Sequence, residues 1–270
     1  MSNQMISESP SVNGRVVQVR RFECHPNSLD IRLLQNTSGN LDRPGTTASF
    51  FVNSGNRNTT RVMTAIHWRR GAAVHTGGGN NFLDAGDRNG SAASCMYSDH
   101  LEQNRIHPLQ PRFVNRATTI SNLPMPQSNV AWAIGGISLL LNENHASNAS
   151  MRNRYLGLNG ATAFYPGMRE AFIPALTTGA ARTFIGYNPT RDTLTFGIIA
   201  PSVNANNNTL ANSGITYHDM YTVLRNLGCT MGLSLDGGGS TRFRATTGST
   251  VSPGQRDIVC QLTHPGLMLQ

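Results

Sequence analysis

The chain contains no lysine. All 22 of its basic residues are arginine, against 14 acidic residues, for a formal net charge of +8 in 270 residues. Charged residues make up only 13% of the chain, too few for the charge-rich composition of a disordered protein. A net positive charge attracts anions. The arginines are scattered, however, and no nucleic-acid-binding motif is present, so we expect no specific nucleic-acid partner.

Long apolar segments are also missing. No apolar run approaches the roughly 18 residues that a membrane-spanning helix needs, so we expect no membrane association. Residues 1–15 lack the apolar stretch of a secretory signal peptide. These features predict a cytoplasmic protein. That it is made in a host cell or delivered into one is a possibility that the sequence leaves open. The oligomeric state cannot be inferred.

Cysteine is sparse, and its spacing excludes the common zinc motifs. The four cysteines lie far apart, at positions 24, 95, 229 and 260. Cys229 and Cys260 lie in apolar, strand-like segments, where a free buried thiol is the ordinary outcome. We therefore expect neither a metal nor a cofactor.

Glycine is abundant, at 27 residues, which is typical of a loop-rich chain. Residues 1–12 are mostly polar and predict a flexible terminus. Residues 13–270 are predicted to form one α+β domain with a mixed β-sheet and few helices. Within it, residues 71–110 show little periodicity and predict a loop insertion. Strands are predicted at 15–22, 28–34, 46–53, 129–141, 182–187, 193–200, 229–235 and 256–262.

One helix has clear start and stop signals. Thr216 is a candidate N-cap, Asp219 completes a shortened capping box, and Gly228 lies where a C-terminal glycine is common. An apolar stripe at i, i+3, i+4 and i+7 runs between these signals, at residues 220, 223, 224 and 227. Asp219 is thus best interpreted as a helix-start residue. His218, in the first turn, is more readily interpreted as a surface or packing histidine than as a catalytic base.

The segment with most chemical content follows the strand at 229–235. It reads Asp236-Gly-Gly-Gly-Ser-Thr. Glycines allow a ligand to approach the backbone closely, and successive exposed N–H groups can bind an anion. A glycine-rich turn with a capping aspartate is the alternative interpretation. The segment is neither a Walker loop nor a GxGxxG dinucleotide motif.

Four elements, in this order, resemble the phosphodiester glycosidase family. They are Ala133-Ile-Gly-Gly before three leucines, Arg182-Thr-Phe-Ile-Gly, a helix ending in Leu227-Gly before Asp236-Gly-Gly-Gly-Ser-Thr, and Arg256-Asp-Ile-Val. The resemblance covers roughly residues 130–263. The chain differs from the family in having Thr47-Ala-Ser before its paired phenylalanines, and Ala180-Ala before Arg182.

The resemblance implies a substrate in which a sugar is joined through its anomeric carbon to a phosphodiester. Asp236 would be a carboxylate at the reacting centre or one that binds the sugar, with Glu170 or Glu143 as candidates for a second carboxylate. Arg182 would bind phosphate through its guanidinium. The remaining substrate-binding candidates are Gly135, Gly136, Thr183, Gly237, Gly238, Gly239, Ser240 and Thr241.

Two functions follow from these observations. The first is a hydrolase that cleaves a small-molecule or glycan sugar-1-phosphodiester. The alternative is a non-catalytic binding protein that captures an anionic nucleotide or sugar phosphate, which the differences at 47–49 and 180–181 favour.

Overall fold

The structure is a computed structural model. It describes residues 4–26, 30–33, 48–53, 67–69, 94–99, 112–115, 123–124, 126–165, 181–201, 214–235, 241, 243–245 and 260–265. The strands in these residues are Gln4–Glu8 (β1), Ser11–Val12 (β2), Arg15–Cys24 (β3), Asp30–Leu33 (β4), Ala48–Asn53 (β5), His67–Arg69 (β6), Ser94–Asp99 (β7), Arg112–Asn115 (β8), Val130–Ser138 (β9), Arg182–Asn188 (β10), Thr193–Pro201 (β11), Met231–Ser234 (β12), Phe243–Ala245 (β13) and Cys260–Pro265 (β14). The helices are Asn148–Leu156 (α1) and Tyr217–Asn226 (α2), with a 3₁₀ turn at Gln127–Asn129.

Ten of these strands form one sheet. Its order is β1-β3-β11-β10-β12-β9-β7-β8, with β2 paired to β3 and β6 paired to β9. The other four form a second sheet in the order β13-β5-β14-β4. The α+β class with few helices is confirmed. The pairs between described strands are all antiparallel, where a mixed sheet was expected.

Strand β10 lies in the middle of the large sheet, between β11 and β12. All seven of its residues are buried, as expected of a strand with both faces covered. Helix α2 packs against β10 and β12 and also against α1. Gly186 of β10 leaves room for this helix, because a Cβ there would lie 3.0 Å from Leu224 Cδ2. Both helices fall short of the length and apolar character needed to cross a bilayer.

The predicted helix and its caps are confirmed in α2. Thr216 is the N-cap, and it forms a reciprocal capping box with Asp219. At the other end, the Asn188 side chain donates to Leu227 O at 2.8 Å. Gly228 follows with φ of +75°, a left-handed conformation that favours glycine. Residues from β10 and the helix itself thus define both ends of α2.

The N-terminal hairpin is joined to the start of α2 through one buried carboxylate. Asp219 is 2% exposed, and it accepts hydrogen bonds from Asn13 Nδ2 at 2.9 Å and from Arg15. Burial alone would raise the pKa of Asp219, but the hydrogen bonds from Thr216, Asn13 and Arg15 outweigh it and lower that pKa. Asp219 is therefore ionised in the folded protein, and this contact holds β2 and β3 against α2.

Two segments for which no regular structure was expected contain strands where the structure describes them. Within residues 1–12, expected to be flexible, β1 and β2 pair with β3. Within residues 71–110, expected to be a loop insertion, β7 pairs along the edge of β9. In both cases the segment itself lacks a clear strand signal, but it pairs with a strand that was predicted, so pairing overrides weak local propensity. The prediction of a single domain over 13–270 stays a prediction.

Replacing Asp219 with asparagine should destabilise the protein by about 2 kcal/mol at pH 7, because it removes a buried charged acceptor from several donors. The pKa of Asp219 in the folded protein lies below its unfolded value near 3.9. The stability that Asp219 contributes is therefore fully present above pH 3.9 and is lost as pH falls through the folded pKa. Urea unfolding of both proteins between pH 7 and pH 3 measures the difference. A difference that stays constant down to pH 3 would contradict this role.

Candidate functional site

The carboxyl end of β12 lies beside the start of β10. The antiparallel register pairs Ser234 with Phe184. The next residue, Leu235, donates its backbone N–H to Thr183 O at 2.9 Å. The chain therefore enters the glycine-rich segment next to the first residues of β10.

The chain is held at the same place after that segment. The Thr241 hydroxyl donates to Ala181 O at 3.1 Å, and Thr241 is completely buried. The two described residues that flank 236–240 are thus both hydrogen-bonded to residues 181–183. Asp236, Gly237, Gly238, Gly239 and Ser240 lie outside the described residues, as does Glu170.

Arg182, the first residue of β10, is buried and anchored. It is 8% exposed, and its Nε donates to Ile215 O at 3.2 Å. Ile215 belongs to the turn that precedes α2. This turn is itself held, because Arg15 donates to Gly214 O at 3.0 Å. A guanidinium is therefore fixed beside the two ends of the 236–240 segment.

Two hydroxyl side chains lie near Arg182. Burial raises the pKa of Tyr217, and the Arg182 guanidinium and a hydrogen bond with Ser234 offset part of that rise. Tyr217 is 5% exposed and Ser234 is 3% exposed. The Arg182 cation thus shares its buried surroundings with the first residue of α2 and the last residue of β12. Sequence patterns did not single out Tyr217 or Ser234.

The other described candidates take part in backbone hydrogen bonds or in close packing. Thr183 is completely buried, and its carbonyl accepts from Leu235. Gly135 pairs with Cys95 across β9 and β7. Gly136 packs tightly, because a Cβ there would lie 2.6 Å from Ser234 O. The structure gives a packing reason for Gly136, and a role in binding substrate stays a prediction.

Glu143 lies elsewhere. Strand β9 is antiparallel to β12, so the chain after β9 runs towards the start of β12. Leu139 N, just after β9, donates to Gly232 O at 2.9 Å. After that point, Glu143 accepts from Arg154 Nε at 2.8 Å and from Arg154 Nη2 at 2.8 Å. The described structure therefore brings together Arg182, Thr183 and Thr241 but places Glu143 in an ion pair with α1.

Comparison with solved structures shows the same fold. The zebrafish N-acetylglucosamine-1-phosphodiester alpha-N-acetylglucosaminidase catalytic domain, auto-inhibited by its pro-peptide, is 12% identical with a TM-score of 0.59, over 97% of this chain and 82% of that one. A putative exported protein from Burkholderia pseudomallei K96243 is 12% identical with a TM-score of 0.52, over 92% and 74% of the two chains. A hypothetical protein from Synechocystis is 14% identical with a TM-score of 0.50, over 98% and 64%.

At the sequence level, the family model for phosphodiester glycosidases matches residues 71–259, well over half of the chain. The chain belongs to the phosphodiester glycosidase family. No curated protein sequence matches it. Membership supports a hydrolase role at the level of the family.

Replacing Gly136 with alanine should destabilise the protein by about 1–3 kcal/mol, because the new methyl group would press on the backbone of β12. Chemical denaturation of the two proteins measures the loss. An alanine variant as stable as the wild type would mean that β9 and β12 are not in the close contact described above.

Proposed function

We propose that the protein hydrolyses a sugar-1-phosphodiester, with Asp236 as the carboxylate at the reacting centre and Arg182 as the cation that binds phosphate. One observation carries this proposal. Leu235 and Thr241, on the two sides of residues 236–240, are both hydrogen-bonded to the start of β10, where the Arg182 guanidinium is anchored.

Covalent geometry supports a short distance between the two groups. Asp236 follows Leu235 by one peptide bond, so their Cα atoms are about 3.8 Å apart. Leu235 in turn is hydrogen-bonded to Thr183, the neighbour of Arg182. We infer that the carboxylate and the guanidinium face one cleft, with the glycine backbone as its floor.

The residues suit the charges of a phosphodiester. A guanidinium can donate two parallel hydrogen bonds to phosphate oxygens, and burial strengthens such a contact because the local dielectric constant is low. The backbone N–H groups of Gly237, Gly238 and Gly239 and the hydroxyls of Ser240 and Thr241 would add donors for the negative charge. Gly135 and Thr183 would complete the walls.

The proposed reaction replaces one bond to the anomeric carbon. The bond between that carbon and the phosphate oxygen breaks, and a water oxygen takes its place. The water proton passes to a carboxylate base, and the phosphate leaves as a monoester. Asp236 takes one acid-base role. For a second carboxylate we retain Glu170, since Glu143 is already paired with Arg154.

Family membership supports the proposed substrate class. A structure with the same fold is named as acting on an N-acetylglucosamine-1-phosphodiester. We propose the same class of bond here, with the sugar and the group on the other side of the phosphate left to experiment. N-acetylglucosamine-1-phosphodiesters and uridine-diphosphate sugars are the first substrates to test.

A second candidate is a binding protein that captures a nucleotide or sugar phosphate intact. The observation that favours it is Ala180-Ala181, which stands where the resemblance leads us to expect His-Pro before the arginine. Ala181 is completely buried and contributes its carbonyl to Thr241. This arrangement holds the segment 236–240 without adding a side chain that could take part in chemistry.

Asp236→Asn should lower kcat for sugar-1-phosphodiester hydrolysis by at least about 100-fold, because the amide cannot take up or give a proton. Asp192→Asn, which changes an aspartate in the turn between β10 and β11, is the matched control and should keep most of the activity. In ¹⁸O-labelled water, we expect the label in the released sugar.

Three results would count against this assignment. Equal turnover by Asp236→Asn would remove Asp236 from the reaction. Label in the phosphate would place cleavage at the P–O bond. Recovery of intact ligand after denaturing a saturated wild-type complex, without turnover, would favour the binding protein.

A further inference from the structure

A pocket lies between helix α2 and the turn that follows β9. It has a volume of about 510 Å³ and is lined by residues 144–146 and by the α2 face that carries His218, Tyr221 and Arg225. None of its lining residues is acidic, and none belongs to the predicted phosphodiester site. Its chemistry can therefore be considered independently of that site.

Arg225 is held on one edge only. Its Nη1 lies 3.0 Å from Glu143 O, 2.9 Å from Asn144 Oδ1 and 2.8 Å from Tyr221 Oη, and its guanidinium lies 5.5 Å from the centre of the Tyr221 ring. In the described part of the chain, Nε and Nη2 on the other edge have no partner. Two parallel N–H groups on a fixed guanidinium match two oxygens of one anion.

His218 supplies a group of the opposite kind. Its Nε2 lies 3.0 Å from His145 O. A carbonyl only accepts, so Nε2 carries the proton and Nδ1 is the acceptor of the neutral ring. The ring is stacked on Tyr221, with the planes 16° apart and the centres 5.6 Å apart. The pocket thus combines a paired donor edge with one fixed acceptor.

The surrounding charges leave the pocket positive. Glu143, from the turn after β9, is paired with Arg154 of α1. His145 contacts Glu143 at 3.3 Å, while burial lowers the pKa of His145 and Glu143 opposes that shift. Arg225 therefore remains as a positive charge that no carboxylate neutralises within the described residues.

We propose that this pocket binds a phosphate group that carries one proton. Arg225 Nε and Nη2 donate to two phosphate oxygens, and His218 Nδ1 accepts the hydrogen bond of the P–OH group. His218 Nδ1 makes the pocket selective for such a phosphate over sulfate and carboxylates, because these anions carry no proton near neutral pH. The proposal does not depend on the proposed hydrolysis, because it uses none of the same residues.

The test is a titration of the full chain with inorganic phosphate at pH 7 and constant ionic strength, followed through the His218 ring signals in NMR spectra. We expect a saturable shift of His218. Arg225→Gln should weaken phosphate binding by at least about tenfold, and Arg225→Lys should weaken it too because the paired edge is lost. Arg191→Gln, at an exposed arginine in the β10–β11 turn, is the matched control and should bind as the wild type does.

The arms of the experiment separate the alternatives. Sulfate and acetate should shift His218 much less than phosphate at the same concentration. Equal binding of sulfate, unchanged phosphate binding in Arg225→Gln, or a His218 signal that phosphate does not move would each overturn the proposal. Because Tyr217, next to His218, also lies near Arg182, the shift is assigned to this pocket by its loss in Arg225→Gln, which leaves Arg182 unchanged.

Discussion

Strand β10 is hydrogen-bonded along both edges, to β11 and to β12, and its first residues also hold the chain on either side of residues 236–240. This arrangement is costly to disturb, because a strand buried on both faces cannot shift by one residue without exchanging its buried side chains. The backbone position of Arg182 is therefore set by the central register of the sheet.

The same region connects to the N-terminus. Arg15 donates to Gly214 O, and Asp219 accepts from Asn13, so the hairpin of β2 and β3 supports the turn whose Ile215 carbonyl anchors Arg182. Elements far apart in sequence thus combine to fix one guanidinium. A site built on regular elements in this way holds its geometry more precisely than one built on loops.

Several features could be predicted from the sequence because their signals are local. The cap at Thr216, the apolar stripe of α2 and the glycine at 228 lie within one short segment, and the structure reproduces them. Helix α1 was not predicted, since its residues are mostly polar. Its signals were present nevertheless, in the N-cap Ser147 and in Gly157 with φ of +70°.

The features that could not be predicted depend on pairing between distant segments. Strand β7 lacks a strand pattern of its own and is recognisable only beside β9. The same holds for the site. Arg182 and Thr241 could be named from motifs, but the contacts with Ile215 and Ala181 require the folded chain. The contacts of Arg225 Nη1 likewise depend on Glu143 and Asn144, which lie 82 and 81 residues earlier in the chain.

The central claim is that the phosphate of the substrate lies against Arg182, at the start of β10. A crystal structure of the Asp236→Asn variant with an intact sugar-1-phosphodiester tests it most directly. The account predicts phosphate oxygens within hydrogen-bonding distance of the Arg182 guanidinium and the anomeric carbon next to residue 236. A phosphodiester bound only elsewhere, with Arg182 and residue 236 on opposite sides of the sheet, would contradict it.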